Sequence, residues 1–272
     1  MARKGKGHKN REAEAGAAPK GAETAASHSS SEAEFLAEYD AADFPHPSLT
    51  VDVVLLTATA AALNALLVRR EHHPELGKWA LPGGFVRLDE SLDAAAARVL
   101  RDKVGLSGVF LEQLYSFGAV KRDPRTRVIT VAYYALVPGD RLAAAVVPGA
   151  APNRLARLAV GWPGERGGPV QALSSDGAEM PLAFDHAEIL GLAVKRLRGK
   201  LDYAPIGFEL LPEVFSLRDL QQIHEVISGR PTNKDSFRRR MLASGQLEAT
   251  GERNTDVEYR PPELYRYRAA ER

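Results

Sequence analysis

The segment GGFVRLDESLDAAAARVLRDKVGL, residues 83–106, constrains this chain more than any other stretch. Two glycines open a loop that runs through Asp89 and Glu90. Ser91 then stands where a helix N-cap is expected, and Gly105 where the left-handed residue that ends a helix belongs. A loop fixed to a capped helix in this way needs a sheet to pack on, and the flanking sequence supplies strands. The apolar run Val53–Val68, with Asn64 inside it and Asp52 beside it, is 16 residues long, too short to span a membrane. It reads as two strands of a hairpin, one built on Val51, Val53, Val54, Leu55 and Leu56 and the next on LNALLVRREHH. RVITVAYYALV, residues 127–137, is rich in β-branched and aromatic residues and predicts another strand. Residues 139–179, rich in Ala, Gly and Pro, are expected to form a long loop with one short strand. PLAFDHAEILGLAVKRLRGKL, residues 181–201, predicts an amphipathic helix with Asp185 as N-cap. Strands interleaved with helices point to an α+β fold: an α/β/α sandwich around a mixed sheet.

Composition narrows the setting. The 272 residues, 44% of them hydrophobic, suffice for one large domain or two smaller ones with cores of their own. The absence of cysteine excludes disulfide scaffolds, thiolate catalysis and Cys-type zinc sites, and a reducing cytoplasm is the simplest compartment. A net charge of +1 says little about partners, so nucleic-acid binding would have to come from a local patch. No apolar signal-peptide core follows the basic start, and a soluble protein without membrane attachment is expected. Residues 1–34 are nearly free of large apolar side chains, and a solvated, disordered basic tail is expected over residues 1–45.

From about Phe208 the pattern changes. Ser216 with Asp219 forms a capping box ahead of Leu217, Leu220, Ile223 and Ile227, and Gly229 stops that helix. After a short turn, Thr232 with Asp235 begins a second helix, closed by Gly245. QLEAT and ELYRY then make a candidate hairpin. Helix, tight turn, helix and hairpin is the layout of a winged helix-turn-helix. In the second helix Phe237, Met241 and Leu242 mark the buried side, with Ser236, Arg239, Arg240 and Ala243 opposite and Asn233 at the edge. Arg238 falls in the buried sector, so its head must snorkel out or pair with a carboxylate. Two arginines, a serine and an asparagine on a solvent face suit phosphates and base edges of the major groove. Asn233, Lys234, Ser236, Arg238, Arg239 and Arg240 are therefore the DNA-contact candidates, with Arg253 and Arg260 of the wing as backbone contacts. The bland alternative is a solvated helix face.

The opening segment resembles the Nudix box, G-x5-E-x7-R-E-U-x-E-E-x-G-U with U bulky and apolar. Gly84, Glu90, Arg98, Leu100, Gly105 and Leu106 match at the right spacings. Three acidic positions depart: Val99 and Lys103 stand where the family has glutamates, and Asp102 is one methylene shorter. The family gathers those carboxylates around Mg²⁺, which wants oxygen ligands. Valine supplies none and lysine adds a positive charge, so only Glu90 and Asp102 remain as metal candidates and efficient hydrolysis is not expected. Arg98 and Glu90 read as a structural pair joining loop to helix.

The order of this box, then PLAFDH, then FSLRDLQQIHEVISGRP and FRRRMLASGQL, then RPPELYRY, resembles the Nudix-related transcriptional regulators of NAD metabolism over residues 46–272. The resemblance implies a sensing domain over 46–200 and a DNA-binding winged helix over 201–272. It implies a homodimeric repressor of NAD biosynthesis or salvage genes that binds a palindromic double-stranded operator. ADP-ribose or a related NAD-derived nucleotide is the implied effector, with no cofactor required. By position, Arg69 and Arg70 would take phosphates, Trp79 would stack the adenine, and Gly83 and Gly84 would let the backbone approach. Lys103 would stand in for a metal as counter-charge or point to solvent, and Phe184, Asp185 and His186 would line the same cleft. Arg122, Asp123 and Arg125 reach the ligand or only close a hairpin. Two rivals are an active hydrolase of ADP-ribose or another nucleoside diphosphate, and a nucleotide-gated protein adaptor.

Overall fold

A strand covered on both faces must be apolar on both, and Ser48–Ala58 (β1) is buried along nearly its whole length. The computed structural model describes residues 31–59, 62–145, 153–253 and 262–268. The chain divides into two units, residues 1–46 and 47–272. The described part of the first unit is not structureless, as the tail reading expected. Ser31 caps a short helix, Glu32–Glu38 (α1), and a single 3-10 turn follows at Ala41–Asp43. The Tyr39 ring meets those of Phe35 and Phe44, but no residue of these elements is buried.

In the second unit β1 is followed by Leu63–Arg69 (β2), Trp79–Ala80 (β3), Gly83–Phe85 (β4) and the helix Leu92–Val104 (α2). Glu112–Phe117 (β5), Val128–Leu136 (β6), the helix Gly139–Ala145 (α3), Asn153–Ala159 (β7) and Gln171–Leu173 (β8) come next. His186–Lys200 (α4) and the short Ile206–Glu209 (α5) lead to Phe215–Ser216 (β9), Leu217–Ser228 (α6), Lys234–Ala243 (α7), Leu247–Arg253 (β10) and Glu263–Tyr267 (β11). Among the described residues the main sheet has the order β5-β6-β1-β2-β7-β8, with β3 on β2 and β4 on β1. β1 and β6 run parallel and the other pairs antiparallel, which is the expected mixed sheet.

Alternate β1 side chains serve opposite layers. Val51, Val53 and Leu55 pack with Ala95, Ala96, Val99 and Leu100 of α2, while Val54 and Leu56 join Ile189, Leu190, Val194 and Leu197 of α4. The second cluster runs on without a break into Leu220, Ile223 and Ile227 of α6, Phe237 of α7 and Tyr265 of β11. The winged helix thus shares apolar contacts with the sandwich.

Ser91 and Gly105 bound α2 as expected, the glycine at φ 73°, and Ser216 with Asp219 makes the reciprocal capping box of α6. Three expectations are corrected. The stretch after residue 139 holds α3 and two strands, because β7 pairs with β2 over five positions, contacts too distant in sequence to be read locally. Asp185 sits at the N-cap position of α4 but makes no capping bond, because its carboxylate is drawn to Arg122. α7 is capped by Asn233, whose side chain accepts from the Ser236 amide, while the Thr232 amide donates to Glu225 at 2.7 Å.

Candidate functional site

Strand β2 ends in Arg69, with Arg70 next along the chain, and α2 ends in Asp102, Lys103 and Val104. Where these ends meet β4 and the loop before α4, a pocket of about 510 Å³ opens. Of the predicted effector residues, Arg69, Arg70, Gly83, Gly84, Lys103, Phe184 and His186 line it, and so do Arg122, Asp123 and Arg125. Trp79 does not. Its backbone bonds to Pro181 and Ala183, and its ring packs against the core on the α4 face. Asp185 is also absent from the wall, holding Arg122 from behind.

Sequence reasoning missed the floor of this pocket. Asp52, a buried acid in the apolar strand β1, faces Arg122 at 3.5 Å and His186 Nε2 at 3.8 Å. A charge isolated in a valine-rich strand was the available signal. A Cβ on Gly83 would stand 2.1 Å from the Asp52 carboxylate, so this glycine is required by the acid beneath it. The Leu81 amide donates to His186 Nδ1 at 2.9 Å, which leaves the ring proton on Nε2, toward Asp52. Burial lowers the His186 pKa and keeps the ring neutral, against the pull of Asp52 and Asp185. Burial also works against the charge of Arg122, but Asp185 and Asp52 raise its pKa on balance.

The remaining cations are less well matched. Arg70 donates to the carbonyls of Pro74 and His72 and lies 4.8 Å from the centre of the Phe184 ring. Its pKa is lowered by burial and then by Arg125. Lys103 is lowered by burial too, with Asp52 opposing and Arg70 and Arg98 adding to the effect. Among the described residues Arg69, Arg70 and Lys103 form no salt bridge. Phe184 holds φ 52°, outside the usual range for a side-chain-bearing residue, and so presents its ring at the pocket wall.

The box residues divide. Glu90 accepts from Arg98 at 2.8 and 2.6 Å and from the Arg87 amide, and Arg98 also donates to the Phe85 carbonyl. The Arg98 bond holds the Glu90 pKa at about 2. This pair locks loop to helix, and Glu90 does not line the pocket. Val99 is buried in the core under α2, 3.4 Å from where a Gly84 Cβ would be. Asp102 reaches the pocket wall and pairs with Arg101.

The second region of interest is α7 with its three-stranded sheet β10-β11-β9. Phe237 and Met241 are buried but Leu242 is 45% exposed, which turns the buried side toward Phe237. That rotation brings Arg238 to the surface, exposed beside the Tyr265 hydroxyl, and moves Arg240 to the flank. Arg240 bonds Asp202 at 2.9 Å and lies 5.5 Å from the centre of the Phe237 ring. Arg239, Ser236 and Lys234 are exposed, while the Asn233 side chain is engaged in capping. Arg253 closes β10, and Arg260 lies outside the described residues.

A mixed-sheet sandwich with a box helix over a cationic pocket, continued into helix-turn-helix and wing, defines a Nudix domain joined to a winged helix. Family models agree: the NUDIX domain matches residues 46–155, and the NrtR DNA-binding winged helix domain matches residues 207–267. The ADPR responsive transcriptional repressor NtrR of Acinetobacter baylyi is 38% identical over 240 residues, 88% of this chain and 89% of the relative. The crystal structure of Shewanella oneidensis NrtR complexed with a 27mer DNA superposes with a TM-score of 0.67 at 36% identity, covering 81% of this chain and 93% of that one. A MutT/nudix family protein from Enterococcus faecalis gives a TM-score of 0.69 at 27% identity over 88% of this chain and 94% of that one. The chain belongs to the NrtR family.

Proposed function

We propose that this protein is a transcriptional repressor of NAD biosynthesis or salvage genes that takes ADP-ribose, or a related NAD-derived nucleotide, in the pocket beneath the box helix. The carrying observation is the set of three cations that form no salt bridge among the described residues, Arg69, Arg70 and Lys103, on one pocket of about 510 Å³. A diphosphate supplies the missing negative charge. The Acinetobacter relative, named for its response to ADPR, supports the choice of nucleotide. Arg69, Arg70, Lys103, Phe184 and His186 are the proposed contacts, with Gly83 and Gly84 as the close backbone.

DNA is read by α7 and the wing, with Arg239, Arg238, Ser236 and Lys234 outward. Two copies on a palindromic operator place half-sites about one turn, ~10–10.5 bp, apart. We assign the sensing role to residues 46–200 and the reading role to 201–272. The helix α4 joins them: its first residue, His186, is at the pocket, and its last turn carries Arg198. That guanidinium donates to the carbonyls of Ile227 in α6 and of Trp162 and Gly164. Over its 15 residues, ~22 Å at ~1.5 Å each, α4 carries a shift at the pocket to the winged helix. A coupling of ~1–3 kcal/mol changes operator affinity ~5–150-fold.

Hydrolysis is not part of this role. Glu90 is committed to Arg98, Val99 offers no oxygen, and Lys103 places a cation where the family holds an acid. The test is a gel shift on DNA upstream of its own gene and of neighbouring NAD genes, with and without ADP-ribose, beside a Mg²⁺ assay for AMP release. A specific shift relieved by ADP-ribose without AMP supports the reading. AMP release without any shift overturns it in favour of a hydrolase.

A further inference from the structure

Asn153, the first residue of β7, is 6% exposed and lines the pocket, and it belongs to none of the motifs that pointed there. Its backbone pairs with Val68, next to Arg69, and its Nδ2 donates at 2.9 Å to the Lys103 carbonyl. That carbonyl lies in the last turn of α2, where the helix leaves acceptors without an internal partner. The bond fixes the amide: reversed, it would set two oxygens against each other. Oδ1 is consequently left buried with no hydrogen-bond partner. Among the described residues, the other buried side-chain atoms without such a partner, on Thr57 and Glu75, are not on this pocket. A buried acceptor without a donor is uncommon enough to require a reason.

We infer that Asn153 Oδ1 accepts a hydrogen bond from a hydroxyl of the nucleotide's adenosine ribose and makes the pocket selective there for ribose over deoxyribose. This rests on the nucleotide reading above. The donor is assigned by its surroundings. Lys103 lies on one side of Asn153 and Arg69, beside its strand partner, on the other, so phosphates occupy the neighbouring positions. In a nucleoside diphosphate the donors nearest the phosphates are the ribose hydroxyls, whereas the amine of the base is at the far end. A ligand lacking the hydroxyl leaves Oδ1 unpaired in the complex and binds more weakly.

The experiment is calorimetric titration of the full chain with ADP-ribose and with its 2′-deoxy and 3′-deoxy adenosine-ribose analogues. The expected result is that one deoxy analogue binds about five- to thirty-fold more weakly, the equivalent of one hydrogen bond to a buried acceptor. In Asn153→Ala that ratio falls to about one. Asn153→Ser, which retains a short hydroxyl, checks the result should the alanine variant unfold. Equal binding of all three ligands by the native chain, or a ratio unchanged in both variants, overturns the inference and leaves the nucleotide reading standing. Failure of every ligand to bind the native chain overturns both.

Discussion

The Arg122 guanidinium meets the Asp185 carboxylate with two parallel hydrogen bonds, 2.8 Å from Nε and 2.7 Å from the terminal nitrogen. Because Arg122 lies in the loop between β5 and β6 and Asp185 immediately precedes α4, this pair ties the pocket floor to the helix that reaches the winged helix. Arg122 also balances Asp52, and its side chain is only 5% exposed. Removing one partner of such a pair leaves the other buried without compensation. Arg122→Ala is expected to lower stability by about 3 kcal/mol, read as a shift of the urea midpoint, while Arg122→Lys recovers part of it.

The operator contacts divide along α7. Arg239 is exposed on the outer face, whereas Arg240 is held by Asp202 and Phe237. Arg239→Ala should weaken operator binding about tenfold and reduce the dependence of log affinity on log salt by about one unit, as loss of one phosphate contact does. Arg240→Ala should change the salt slope by much less. Equal slopes for the two variants in a filter-binding series would reverse this assignment.

Communication between pocket and winged helix is expected to depend on Arg198. Its side chain bonds the Ile227 carbonyl at 2.8 Å and lies against Gly229, where an added Cβ would come within 2.8 Å of the guanidinium. In Arg198→Ala, ADP-ribose should bind within about threefold of the native affinity, yet relieve operator binding by less than the ~5-fold lower bound of ordinary coupling. Titrating nucleotide and operator separately, then together, distinguishes lost coupling from lost binding.

Acid should weaken the junction of α6 and α7 through His224. Burial lowers the pKa of this ring to about 4, with Arg240 adding to the effect. The folded state therefore holds fewer protons than the unfolded one between pH 6.5 and about 4. Its stabilising contribution is complete above pH 6.5 and is lost as pH falls through that window. Between pH 7 and pH 5 the loss is about 2 kcal/mol. His224→Gln should flatten this part of the pH profile, measured by urea unfolding at both values.

Much of the architecture was legible without coordinates because it is encoded locally. Ser91, Gly105, Ser216 and Gly229 act on the backbone within a few residues of themselves, so their caps can be read from the chain alone. The near-continuous run of valines and leucines in β1 sets its burial, and the box spacing placed Gly84, Glu90 and Arg98 where they are found. The Glu90–Arg98 pair needed only the reach of one side chain across one loop.

What tertiary structure alone decided concerns residues whose partners are distant in sequence. Asp185 has the right position for a cap, but Arg122, 63 residues away, binds its carboxylate more strongly than a backbone amide would. Trp79 looked like a stacking ring until pairing with Pro181 and Ala183 turned it toward the α4 core. Leu242 belonged to the apolar side by helical spacing, yet it is 45% exposed, and that shifted the places of Arg238 and Arg240 around the helix. Asp52, Arg122 and Asn153 gather at one pocket only because β1, the β5–β6 loop and β7 converge there. Sequence alone determined the capped helices α2 and α6, the long strands β1, β2 and β6, and the family they spell out. Folding decided which charges meet, since electrostatic partners are chosen by distance in space and not by separation along the chain.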